Sequence, residues 1–367
     1  MSTNGASQPE VLARIDGRAL ILTLNRQKAL NALNLSMVRT LRQAIAFAAG
    51  KPQIELIVLE AAEGRAFSAG GDIVTLCGWG RDAPELWETF FREEYSLDLE
   101  THRSPKPVVA LWDGIVMGGG AGISMHTARR VASQNMRFAM PEVGIGFYPD
   151  VGGTHLLPRL KGRIGRFLAL TGERIGWQDA RACGLATDCV AAKDFPALKE
   201  ELCKRGITAL DRALLHFAAP QEEGPLAALR AEIDTAFAGH DLLNTLASIA
   251  AMAETSEAAK SWLSILKSRS PTSLLIANRQ MLEGATRDLE RSLALEYRIS
   301  ERIRTGHDFY EGVRAAVIDK DQAPQWQPAR LEDVTAEEID AYFAPVAREW
   351  SIEPRVDVPF EADHASA

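Results

Sequence analysis

The sequence predicts an α/β (α+β) fold: strand–turn–helix units through residues 1–219, a mainly helical region over 220–347, and a polar tail at 348–367. Three observations carry this. A hairpin pattern at 11–24 runs into an amphipathic helix, two β-rich runs each end in a glycine cluster, and the β signal fades after about residue 220.

Residues 11–15 and 20–24 alternate around Asp16-Gly17, a hairpin turn pair. Ser36 then opens a helix with apolar residues at 37, 38, 41 and 45, and Gly50 stops it. The run at 54–59 is followed by Gly64 and then FSAGGD at 67–72; the run at 108–112 is followed by Asp113-Gly114 and MGGGAG at 117–122. The same plan therefore occurs twice. A third run at 137–140 leads into MPEVGIGFYPDVGG at 140–153, and GRIGRFLALTG at 162–172 has helical spacing. PQEEGP at 220–225 reads as a linker, and the chain beyond it is rich in Ala, Leu, Glu and Arg at helical spacing, with Ser270-Pro271-Thr272-Ser273 as a helix start. The tail is polar and proline-interrupted, and the sequence assigns it no role.

The 367 residues are 46% hydrophobic and 25% charged, an ordinary globular mixture with length for a large core. Forty-one basic against 49 acidic residues give a net charge of −8, which disfavours general binding to nucleic acid or anionic membrane. No uncharged apolar run reaches the roughly 18 residues needed to span a bilayer. Cys77, Cys183, Cys189 and Cys203 show no CxxC spacing, and MSTNGASQPE lacks the basic and apolar regions of a secretion signal, so a cytoplasmic protein without a disulfide framework is expected.

Glu142 and Asp150 stand out because they are carboxylates in an otherwise apolar and glycine-rich stretch. Such groups serve as base, nucleophile or substrate anchor. Glycine clusters at strand ends leave helix-start N–H groups free and open to a ligand oxygen, and two such turns together can hold one carbonyl oxygen as an oxyanion hole. Phosphate-loop readings fail: Ile123 stands where GxGxxG needs glycine, and GxxxxGK[ST], HExxH and GxSxG do not occur. The seven histidines form no ligand cluster, and Cys77 and Ser68 have no recognisable base partner, so no metal site and no thiol or serine nucleophile is expected.

Four segments taken in order, LNRQKALNAL at 24–33, AFSAGGDI at 66–73, MGGG at 117–120 and MPE at 140–142, resemble the crotonase (enoyl-CoA hydratase/isomerase) superfamily. FREEY at 91–95, FAMPEVGIGFYPDVGG at 138–153, SPTSL at 270–274 and DFYEGVRAAVIDKDQAPQWQP at 308–328 are similar to its 3-hydroxyisobutyryl-CoA hydrolase branch. The resemblance covers about residues 11–343. It implies a crotonase-type spiral of ββα units binding an acyl-CoA thioester, with the carbonyl held by the N–H groups of Gly71 and Gly119 and Gly118 beside it. It also implies that Lys28, Ala29 and Leu30, with Ala69, Asp72 and Ile73, lie against CoA, while Val74 replaces a basic residue common in this branch. Glu94 would lie near the substrate, although it is read as part of an exposed helix with Arg92 and Glu93. No cofactor is implied beyond the CoA of the substrate, and a homo-oligomer is compatible with the resemblance.

Hydratases of the superfamily use two glutamates, and the first falls at Gly122 here. Glu142 matches the second, which favours hydrolysis: a thiol leaving group with a pKa of about 8.5 needs little acid assistance, so one carboxylate and an oxyanion hole suffice. Asp150, where hydratases commonly have glycine, could accept a hydrogen bond from a 3-hydroxyl or merely cap the next helix. The resemblance thus implies a hydrolase of 3-hydroxyisobutyryl-CoA, as in valine catabolism. The alternatives are a Δ3-Δ2 enoyl-CoA isomerase working through Glu142 alone, and a non-catalytic acyl-CoA-binding protein.

Overall fold

The computed structural model describes residues 8–364. Its strands are β1 (Val11–Asp16), β2 (Ala19–Leu24), β3 (Leu56–Ala61), β4 (Ala66–Ser68), β5 (Val108–Trp112), β6 (Ile115–Met117), β7 (Arg129–Ala132), β8 (Arg137–Ala139), β9 (Ile175–Gly176), β10 (Asp188–Cys189) and β11 (Asp363–His364). They form a seven-stranded sheet in the order β10-β7-β5-β3-β2-β1-β11 and a four-stranded sheet in the order β4-β6-β8-β9. The predicted hairpin is present as the antiparallel β1–β2 pair, and β2, β3, β5, β7 and β10 are successive parallel neighbours.

The chain visits the two sheets alternately. β3 leads to β4, β5 to β6 and β7 to β8, so the unit seen twice in the sequence occurs three times, and β4, β6 and β8 lie parallel. Each of these short strands delivers one segment of the site at its C-terminal end. The large-sheet strands are near-continuous apolar runs because both faces are covered. Ile57, Leu59, Val108, Ala110 and Trp112 face the main core, whereas Leu56, Val58, Val109 and Leu111 face a second cluster with Leu198, Leu202, Leu210 and Leu214.

The helices that matter for the site are α1 (Leu35–Ala49), α2 (Ile73–Asp82), α3 (Pro84–His102), α4 (Gly119–Met125), α5 (Gly153–Leu156) and α6 (Ile164–Thr171). α1 starts two residues before the sequence suggested: Asn34, not Ser36, is its cap, and its side chain accepts from the Met37 N–H at 2.9 Å. Asp72 caps α2 in the same way. The region after 220 is helical, and Ser270 caps the helix Pro271–Gly284 with Pro271 in its first turn. This region shares the main core with the strands. Phe167 of α6 packs against Phe237 and Trp262 at centroid distances of 5.4 and 5.5 Å.

Two expectations change. FREEY is not exposed: Arg92, Glu93 and Glu94 on α3 are buried, because α1, α2, α4 and the helix Leu289–Ile303 surround that helix. Nor is the tail idle. Trp350 is buried and donates its indole N–H to the Arg92 carbonyl at 3.2 Å, the Glu353 N–H donates to Ser96 Oγ at 2.8 Å, and β11 pairs with β1.

Candidate active site

The C-terminal ends of β4, β6 and β8 converge on a cavity of about 130 Å³. For scale, a cavity of about 150 Å³ accepts benzene, so this one suits a short acyl group. β4 supplies Ala69-Gly70-Gly71, and Gly70 takes φ +111°, a conformation open to glycine. β6 supplies Gly118 at φ +46° and then Gly119, the first residue of α4. The Gly71 and Gly119 N–H groups donate to no acceptor among the described residues. A Cβ on Gly119 would lie 3.3 Å from the Gly71 nitrogen and 2.5 Å from Glu94 Oε1, so the two turns and Glu94 crowd one point. The two free N–H groups thus lie on neighbouring turns at one end of the cavity.

β8 runs through Pro141 into a 3-10 turn at Glu142–Ile145, closed by Gly146 at φ +70°. Glu142 is buried, and its Oε2 has no hydrogen-bond partner. Its Oε1 sits where a Cβ on Gly118 would be 3.1 Å away, facing the glycine turn. Burial, then the charge of Asp150, pushes this carboxyl well above the usual glutamate range. It is therefore a stronger base than a solvated glutamate.

Asp150 also lines the cavity and is buried. Tyr95 donates its hydroxyl to Asp150 Oδ2 at 3.0 Å, and Tyr95 and Tyr148 share a further hydroxyl contact at 3.2 Å. The side chain thus does not cap α5. Burial raises the carboxyl to about 7 against the opposing effect of the Tyr95 bond. Glu94 Oε1 is buried without a partner, and burial followed by Asp150 pushes its pKa well up.

Two further acids were not visible in the sequence. Asp98 lies one helical turn beyond Glu94 on α3, with both carboxylate oxygens buried and unpartnered, and its pKa is pushed well up by burial and then by Glu94 and Asp150. The i, i+4 spacing of Glu94 and Asp98 was the signal that places both on one helix face. Glu296 comes from the helix Leu289–Ile303 and accepts the Gly152 and Thr154 N–H groups at 2.7 and 2.9 Å; burial raises it to about 8. No local pattern marks it, because its partners are more than 140 residues away.

The remaining expected residues separate by environment. Ala69, Ile73 and Gly118 line the cavity. Lys28 is exposed on the 3-10 turn Gln27–Ala29, and Leu30 accepts the Ala69 N–H at 2.9 Å, which ties that turn to the glycine segment after β4. Asp72 is committed to Arg26 at 2.8 Å and to the α2 cap, and its backbone N–H and carbonyl bond to Leu33 and Leu76 at 2.8 and 2.9 Å. Val74 is exposed. Ser68 is buried and donates to the Asn31 carbonyl at 2.8 Å, and burial raises the Cys77 thiol, so neither is set up as a nucleophile.

At Gly122 a Cβ would lie 2.5 Å from Val151 Cβ. Position 122 is therefore filled from the opposite side of the site, with no room for a glutamate.

The enoyl-CoA hydratase/isomerase family matches residues 19–343. The chain belongs to this family. Its relatives include the mitochondrial 3-hydroxyisobutyryl-CoA hydrolases of Rattus norvegicus, 42% identical over 342 residues (91% of this chain and 88% of that one), and of Homo sapiens, 38% identical over 361 residues (94% and 90%). The fold is shared with the crystal structure of a carnitinyl-CoA dehydratase from Mycobacterium thermoresistibile, at TM-score 0.89 and 35% identity, covering 94% of this chain and 99% of that one. An enoyl-CoA hydratase from Rhodobacter sphaeroides superposes at TM-score 0.85 with 38% identity, covering 94% and 100%. The expectation of a cytoplasmic protein is corrected by these hydrolase relatives, which are mitochondrial. An ordinary N-terminal composition was too weak a ground for it. Among the described residues no helix is long and apolar enough to cross a membrane.

Proposed function

We propose that this enoyl-CoA hydratase/isomerase family member is an acyl-CoA thioester hydrolase acting on a short 3-hydroxyacyl-CoA, with 3-hydroxyisobutyryl-CoA of valine catabolism as substrate. One observation carries the reading: two carboxylates with buried, unpartnered oxygens, Glu142 and Glu94, line the same acyl-sized cavity as the free Gly71 and Gly119 N–H groups, and Glu142 faces the glycine turn at Gly118. The hydrolase relatives support the substrate.

The thioester oxygen accepts from Gly71 and Gly119, and charge developing on it is stabilised there. Glu142 takes a proton from water as the water oxygen bonds to the carbonyl carbon; the C–S bond then breaks and the CoA thiolate recovers a proton. Alternatively the Glu142 oxygen bonds to that carbon, releasing CoA and leaving a mixed anhydride that water opens. Asp150, oriented by Tyr95, accepts the 3-hydroxyl, with Glu94 beside Gly119 at the carbonyl end. No cofactor is required beyond the CoA that the substrate carries.

The two superposed structures are named for dehydration and hydration, but here Val151 fills the space beside Gly122, the position where the resemblance places the first hydratase glutamate. An isomerase reading would leave the Asp150–Tyr95 pair without a task. A free-thiol assay tests the proposal. Wild type releases CoA from 3-hydroxyisobutyryl-CoA and Glu142→Ala loses roughly 100- to 10,000-fold in rate; full release by that variant would remove Glu142 from the mechanism.

A further inference from the structure

Asp150 is followed by a backbone conformation that needs support. Val151 adopts φ +51°, rare for a β-branched residue, and is buried against Gly122. Gly152 follows at φ +85°. The peptide groups on both sides of Asp150 are held by side chains outside the cavity. Gln280 Nε2 donates to the Pro149 carbonyl at 3.1 Å, His126 Nε2 lies 2.9 Å from the Val151 carbonyl, and Glu296 accepts from the Gly152 and Thr154 N–H groups. Burial holds the His126 imidazole neutral, with a pKa pushed down to about 3. Since a carbonyl only accepts, the proton on that neutral ring sits on Nε2 and is donated to Val151. A Cβ on Gly152 would lie 2.1 Å from His126 Nε2, so the ring is wedged against the turn it holds.

We propose that His126 and Glu296 are positioning residues that clamp the Pro149–Gly152 turn and thereby fix the Asp150 carboxylate for the acyl 3-hydroxyl, giving the enzyme its preference for hydroxylated esters. This rests on the role assigned to Asp150 above. Neither His126 nor Glu296 lines the cavity, so each acts through the turn. A clamp of this kind should affect the hydroxyl interaction selectively, because Gly71 and Gly119 follow β4 and β6, and Glu142, although on the same β8–α5 connection as Asp150, is set in its own 3-10 turn closed by Gly146.

The test is the ratio of kcat/KM for 3-hydroxyisobutyryl-CoA to that for the same ester without its hydroxyl. In His126→Ala the ratio falls roughly tenfold, the order expected for a misdirected buried hydrogen bond. His126→Gln, whose amide nitrogen still reaches Val151, stays near wild type, and His126→Ala adds nothing in an Asp150→Asn background. If His126→Ala does not fold, Glu296→Gln is read on the same ratio. An unchanged ratio, or equal loss on both esters, overturns the clamp while leaving the hydrolase reading intact. A wild type without any preference for the hydroxylated ester overturns the Asp150 assignment and the clamp together; a wild type that releases no CoA overturns the hydrolase reading itself.

Discussion

Val151 leaves no space at position 122, and this can be measured without any substrate. Gly122→Ala brings a methyl group to 2.5 Å from Val151 Cβ and should destabilise the fold by about 1–3 kcal/mol in urea titration. An unchanged midpoint would mean the turn relaxes freely. At Glu142 the raised pKa has a direct kinetic consequence. The carboxylate form is the base, so kcat/KM should rise with pH through a value above the normal glutamate range; a profile already flat from pH of about 5 upward would contradict the buried environment. Glu142 and Asp150 were legible in the sequence because each is a lone charge in an apolar stretch. Asp98 was not, since in YSLDLE it looks like the polar side of an ordinary amphipathic helix. Only the fold shows that α3 is covered on all sides over residues 90–101.

α3 carries Glu94, Tyr95 and Asp98 towards the site, and its opposite flank is held by the tail. Arg42 pairs with Glu100 of α3 at 3.0 Å and also donates to the Glu353 carbonyl; Arg92 pairs with Glu353, and Arg355 reaches Glu100 at 3.2 Å. Arg42 and Arg92 are buried, so removing the tail leaves each with fewer partners in a place water reaches poorly. Deletion of 348–367 should therefore cost on the order of 3–5 kcal/mol and lower the melting temperature clearly. An unchanged melting temperature would show that these contacts are dispensable. The sequence could not assign this role, because the Arg92 and Arg42 partners of Glu353 lie 261 and 311 residues away from it. Strands and helices with strong periodicity, such as β5 and α6, were legible; the very short β4, β9 and β10 depend on neighbours and left no pattern of their own.

Among the described residues, six buried carboxyls, those of Glu94, Asp98, Glu142, Asp150, Asp179 and Glu296, hold protons more tightly than they would in the unfolded chain. Each raised acid favours the folded state fully below its unfolded pKa and loses that contribution as pH rises through the folded value. His126 has the opposite sign, but by a pH of about 7.5 it is largely neutral in both states. Stability should therefore fall between pH of about 7.5 and 8.5, where Glu296 titrates in the folded state, and Glu296→Gln should lessen that fall; a melting temperature that is flat or rising over this window would contradict it. With Val151 filling the space at Gly122, Glu142 is the hydratase-position glutamate that remains to act on a thioester. The most direct test monitors free thiol and enoyl absorbance together in one reaction series, giving wild-type protein 3-hydroxyisobutyryl-CoA and then an enoyl-CoA. Thiol release from the first, with no hydration or isomerisation of the second, is the expected result; enoyl conversion without thiol release would contradict the account.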